Sequence, residues 1–102
     1  LLYPSFTLGS HGAIAAILTA APTLCVALWD AVRQENHTTA LSLHHQLLRI
    51  WNAINGDNLP ANVKHCLNIQ NRTGGLPRSP MPVTTSQQGE HIEQALQETG
   101  LI

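Results

Sequence analysis

The sequence predicts a mostly α-helical chain with one buried strand near its start, whose partner strands lie outside these 102 residues. Three observations carry this. Ala13 to Leu18 is a continuous apolar run entered through Gly9 and Gly12, the pattern of a strand covered on both faces, although a buried helix gives the same run. Four later stretches place apolar residues three and four apart, as a helix with one covered face does. Asp, Glu, Lys and Arg together make 11% of the chain, against about 25% in an ordinary soluble domain, so several faces are expected to be covered by more protein.

Leu1 to Leu8 is apolar with Pro4 inside it and reads as a helix end or a connecting segment. The run from about 12 to 18 reads as the strand. No second stretch is suited to pair with it, and each unpaired backbone group in a buried strand costs on the order of 1–3 kcal/mol. Pro22 sits where a first-turn proline is tolerated, and Leu24, Ala27, Leu28, Ala31 and Val32 set the face of a helix over about 22–34. Thr38 is placed to cap the next helix, which carries Ala40, Leu43, Leu47, Ile50, Trp51 and Ile54 as one apolar stripe and stops near Asn55-Gly56. Pro60 opens a helix with Val63, Cys66, Leu67 and Gln70 along one side. Gly74, Gly75, Pro77, Pro80 and Pro82 break the chain over 71–82. Thr85 with Gln88 forms a capping box for a last helix with Ile92, Ala95, Leu96 and Thr99, ending at Gly100.

Charge and motif content exclude several functions. Lys and Arg total five and the net charge is −1 with His neutral, so no basic stripe exists to neutralise phosphates and nucleic acid is not an expected partner. Gly9 and Gly12 lack the Gly-x-Gly-x-x-Gly fingerprint and any Walker lysine, which excludes a phosphate loop. The uncharged run from Gly12 to Trp29 sits at the bottom of the spanning length of roughly 17–25 residues, holds Thr19, Pro22 and Thr23, and has no cationic segment before it. Membrane association is not expected. The histidines at 11, 37, 44, 45, 65 and 91 include no pair at the i, i+3 or i+4 spacing of helical metal ligands, and no metal or other cofactor is implied. Cys25 and Cys66 lack metal or redox spacing and read as buried free thiols of a reducing compartment, the cytoplasm. Lys64, the only lysine, lies between Val63 and His65 and reads as a packing or surface residue. A Schiff-base lysine would need a desolvated pocket or a neighbouring cation.

Several short motifs occur together: Leu8 with Gly9-x-x-Gly12 before an apolar run, Pro22, Ala40-x-x-Leu43-x-x-x-Leu47, Pro60-x-x-Val63-Lys64-x-x-Leu67, Arg78-Ser79-Pro80, and Gly100-Leu101-Ile102. In this order the chain resembles the C-terminal third of a dihydrodipicolinate synthase / N-acetylneuraminate lyase family aldolase. It departs from the family at Thr19-Ala20-Ala21, where many members carry an asparagine, and at Asn71-Arg72-Thr73, where glycine is frequent. These departures lean toward a divergent keto-acid aldolase.

The resemblance implies the last βα unit of a TIM (β/α)8 barrel over residues 1–36 and a C-terminal helical extension over 37–102. A complete barrel needs roughly 250 residues; Leu1 in first place and Met81 as the only methionine fit a chain that is processed, excised or incomplete. The implied chemistry is carbon–carbon bond making or breaking through a Schiff base between a lysine and pyruvate or another 2-keto acid, with homo-oligomers common. The family's lysine, tyrosine and threonine motif are not among these residues, so no catalytic residue is assigned and the chain alone is expected to be inactive. Ile14 is the one implied site residue, its main chain lining the pyruvate pocket. Arg78 is implied to be structural. A different class competes with this reading: a small helical interaction or oligomerisation module, in which the run 13–18 is helical.

Overall fold

The computed structural model describes residues 1–102 and contains six α-helices and no strand: α1 (Leu2–Thr7), α2 (Ala16–Ala20), α3 (Pro22–Arg33), α4 (His37–Ile54), α5 (Leu59–Ile69) and α6 (Ser86–Glu98). They form two compact units, Leu1–Leu48 and Arg49–Ile102, with the division inside α4.

The mostly helical class therefore stands, and the strand over 12–18 does not. Ala16–Ala20 is helical; alanine is the best helix former, and the chain supplies no neighbouring strand to pull these residues into an extended ladder. Ahead of it, Ala15 is extended, at φ −152° and ψ 145°. Ala21 separates α2 from α3 at φ −139° and ψ 62°, because a residue before proline is pushed out of the helical region.

In the first unit, α1 and α2 both pack on α3. Pro4 is accommodated because it falls in the first turn of α1, where backbone N–H groups have no helical partner. Phe6 is buried with its ring edge-on to Trp29, at 5.0 Å between centroids and 89° between planes. Cys25, Leu28 and Ala31 form the covered stripe of α3. Full burial of Leu28 contributes about 2 kcal/mol. The N–H groups opening α4 are capped by Asn36, not Thr38: its Oδ1 accepts from Thr39 N at 3.2 Å. Asparagine is among the strongest caps, and it lies two residues earlier.

In the second unit, α5 and α6 pack together and cover Ile50, Ile54, Cys66, Ile92 and Leu96. Gly89 brings the two helices close, since a Cβ there would lie 3.1 Å from His65 Nε2. The capping box is present in both directions, with Thr85 Oγ1 accepting from Gln88 N and Gln88 Oε1 accepting from Thr85 N. The loop between the helices includes a cis Ser79–Pro80 peptide.

Candidate functional site

The segment between α1 and α2 is one of several stretches with unpaired backbone groups, another being the loop before α6, where Ser79, Pro80 and Thr84 have none of their backbone groups paired within the chain. Helix α1 closes with Gly9 N donating to Phe6 O and Ser10 N to Ser5 O, and Gly9 takes the left-handed φ of 96° that this ending needs. On the far side, Ala15 O accepts from Leu18 N as α2 begins. Between these anchors, the N–H and C=O groups of residues 11–14 have no partner within the chain. Ile14 lies on this stretch fully exposed, at 107% of its reference area, and Leu8 just before it is 88% exposed. Ala15, at the end of this segment, has an extended backbone, and His11 lies in a bend.

The other residues weighed from sequence are not gathered there. Lys64 Nζ donates to Leu76 O at 3.1 Å and so ties the following loop to α5. Asn68 completes this tie, its Oδ1 accepting from Gly74 N and its Nδ2 donating to Gly75 O. Gly74 is needed because any Cβ would strike the Lys64 carbonyl. Arg78 is exposed, and its carbonyl accepts from Met81 N. His37 and His44 both meet Tyr3, through a 3.3 Å contact from Tyr3 Oη to His37 Nδ1 and a 5.7 Å ring approach to His44. Desolvation lowers the His44 pKa below the ordinary imidazole value, helped by the amino-terminal charge and by His45. No three metal-ligating side chains are gathered.

Burial raises both thiols, Cys25 to about 11. At Cys66 the upward push of burial outweighs a hydrogen bond from Gln70 and the charge of Arg72. Neither thiol is a nucleophile in this state. No helix is long and apolar enough to cross a membrane.

The most developed polar arrangement lies in the second unit and went unseen in the sequence apart from its Thr85–Gln88 pair. Fully buried Asn62 donates through Nδ2 to Ile54 O and Asn58 Oδ1, at 3.0 and 3.2 Å, and accepts from Thr84 Oγ1 at 2.9 Å. Asn58 and Gln88 exchange two amide hydrogen bonds, each 2.9 Å. These bonds join the end of α4 and the starts of α5 and α6. With every polar group paired inside the protein, the cluster is a clasp and offers nothing to a substrate.

Comparison with known proteins sets this geometry in a class and then in a family. The fold is that of the helical C-terminal part of a TIM barrel: the chain superposes on a crystal structure of dihydrodipicolinate synthase with a TM-score of 0.85 at 25% identity, covering 98% of this chain and 35% of that one. The chain belongs to the dihydrodipicolinate synthetase family, whose model matches residues 1–99.

Its relatives include the 4-hydroxy-tetrahydrodipicolinate synthase of Bradyrhizobium diazoefficiens, 30% identical over 92% of this chain and 32% of that protein. That of Archaeoglobus fulgidus is 26% identical over 100% of this chain and 35% of the relative. An uncharacterised DapA-like lyase of Thermofilum pendens is 32% identical over 99% of this chain and 34% of that protein. The chain thus spans about a third of the length of the curated relatives it matches.

Proposed function

We propose that this chain is the closing part of a lyase that makes or breaks a carbon–carbon bond next to pyruvate or another 2-keto acid. In this reading residues 1–36 supply the last strand and last helix of the barrel, and 37–102 form the helical extension. The strand is confined to about 12–15, since Ala16–Ala20 is helical. The Schiff-base lysine lies outside these residues. Ile14 contributes its main chain to the wall of the keto-acid pocket at the barrel's C-terminal face, where such enzymes place their chemistry. A homo-oligomer and a cytoplasmic setting belong to the same reading, the latter suited to two free buried thiols.

The observation that carries the proposal is the coincidence of unpaired backbone and exposed Ile14 with the segment that family resemblance assigns to the pocket wall. Lys64 supports it from the other side, because its ammonium is engaged by the Leu76 carbonyl.

The test is reductive trapping. A Schiff base forms when a lysine amine adds to the keto carbon and water leaves, and borohydride then adds hydride to the C=N carbon, leaving a stable secondary amine. Pyruvate and borohydride are expected to leave Lys64 of the 102-residue chain unlabelled, and to label a lysine elsewhere in a protein that contains the whole barrel. Label on Lys64 contradicts the proposal.

One observation favours a second reading, a helical interaction module: the chain contains no strand. A monodisperse oligomer of the chain alone, with residues 11–14 protected from hydrogen exchange, would support the module.

A further inference from the structure

We propose that Asn55-Gly56, at the joint between α4 and α5, is a site of spontaneous covalent modification in the folded chain. Asn55 is converted to isoaspartate and aspartate with loss of ammonia, and the change loosens the amide clasp of the second unit. Water is the only co-reactant. The Gly56 backbone nitrogen gives up its proton to hydroxide and attacks Asn55 Cγ. The new C–N bond closes a five-membered succinimide, while the Cγ–Nδ2 bond breaks and Nδ2 leaves as ammonia. Water then opens the ring at one of its two carbonyl carbons. Opening at Cγ leaves aspartate. Opening at the main-chain carbon leaves isoaspartate, in which the backbone runs through the former side chain and is one methylene longer. No oxidant or reductant is consumed.

The structure leaves each reacting group free. Helix α4 ends at Ile54 and α5 starts at Leu59, so the pair lies outside any helical ladder and can turn toward the attack geometry that an intramolecular reaction needs. The Gly56 carbonyl accepts from Leu59 N at 3.1 Å, but its N–H has no partner within the chain. The Asn55 side-chain amide has none either, and both residues are exposed to water. Glycine in second place adds no Cβ to shield the nitrogen and opens the widest range of backbone torsions. The other six asparagines differ on these counts, and none is followed by glycine. Asn36, Asn58, Asn62 and Asn68 have their amides bonded, and Asn52 lies inside α4. Asn71 precedes Arg72, whose N–H donates to Leu67 O at 2.9 Å.

The clasp lies against this joint. A Cβ on Gly56 would stand 3.4 Å from Asn58 Oδ1, 3.6 Å from Gln88 Nε2 and 3.8 Å from Asn62 Nδ2. An added methylene between residues 55 and 56 displaces Gly56 relative to these amides, whose hydrogen bonds depend steeply on geometry. The new carboxylate also falls at the C-terminal end of α4, where the helix dipole disfavours an anion.

The experiment ages the 102-residue chain in mildly alkaline buffer, folded and in urea. Peptide mass mapping locates the change, and an isoaspartyl carboxyl methyltransferase with a labelled methyl donor counts the isoaspartate. In the folded chain Asn55 should react at least tenfold faster than any other asparagine, and within about threefold of its rate in urea, because nothing in the fold holds either reacting group. Gly56→Ala should slow the reaction at least tenfold, as should Asn55→Gln, whose attack would have to close a six-membered ring. Gly56→Ala keeps the fold, since its nearest new contact is 3.4 Å away, and circular dichroism checks this. The isoaspartyl chain should unfold at lower urea than the unmodified chain, and lower than Asn55→Asp, which carries the charge without the methylene. The proposal fails if Asn55 reacts tenfold more slowly folded than in urea, or if another asparagine reacts first. It also fails if the isoaspartyl chain unfolds with the same midpoint as Asn55→Asp.

Discussion

The two units solve the same packing problem and differ in how completely they close. Arg49–Ile102 ends with its buried amides paired, through Asn58, Asn62, Thr84 and Gln88. Leu1–Leu48 has a core of similar character around Phe6 and Leu28, yet carries the unpaired backbone of residues 11–14. Buried polar groups must be satisfied locally or left where something else reaches them. The second unit pairs its buried amides internally while leaving Arg72 Nη1 buried without a partner, and the first leaves the backbone of residues 11–14 on exposed or half-buried positions.

The largest expected effect comes from breaking the finished side. Asn62→Ala removes three hydrogen bonds and leaves the Ile54 carbonyl, Asn58 and Thr84 without that partner. A loss of about 3 kcal/mol in chemical denaturation is expected, because each stranded buried polar group costs roughly 1–3 kcal/mol. Ile14→Ala in the same assay should change stability by less than about 0.5 kcal/mol, the usual range for a surface site. Equal losses in the two variants would end the contrast between the units.

The buried thiols sharpen it, since Cys25 belongs to the first unit and Cys66 to the second. With Cys25 raised by burial from 9.0 to about 11, its thiolate fraction at pH 8 falls roughly 100-fold, and native labelling by a disulfide reagent should slow by at least that factor relative to the unfolded chain. The unfolded thiol gives up its proton first, so this contribution to stability is complete below about pH 9 and lost as pH rises toward 11. The Cys66 thiol is raised by the same cause and follows the same sign. As denaturant is added, Cys25 should label before Cys66, because the unit with the unpaired segment opens more easily. Labelling in the reverse order contradicts that assignment.

What was legible in the sequence follows from how local each signal is. Pro22 opens α3, the Ala40 to Ile54 stripe lies along α4, and the Thr85–Gln88 box starts α6, each signal lying within a single helix. The run 13–18 was ambiguous because an apolar stretch this short carries no period that separates strand from helix; alanine propensity took Ala16–Ala20 into a helix once no ladder was available. The amide clasp was hidden for a different reason, since its partners lie 22 and 30 residues apart in sequence. Ile14 came from a motif, and only its position on an exposed, unpaired segment is visible in the chain. A pocket built largely by other strands leaves no further mark on this one.

The smallest effect compares how helices end. Four of them close with the same pair of bonds, and the residue in the left-handed position is Gly9 after α1, Glu35 after α3, Asn71 after α5 and Gly100 after α6. At α3, Glu35 N donates to Val32 O and Asn36 N to Ala31 O, so the geometry is retained while Glu35 holds a φ of 57°. A side chain with a Cβ costs roughly 1–2 kcal/mol there, and glycine returns part of that gain as extra freedom in the unfolded chain. Glu35→Gly should therefore stabilise the first unit by about 0.5–1 kcal/mol, read as a raised denaturation midpoint with unchanged slope. The reciprocal change, Gly100→Ala, should cost a similar amount at the end of α6. If Glu35→Gly destabilises instead, the glutamate is engaged in its own right, and the join between α3 and α4 is held by more than its backbone.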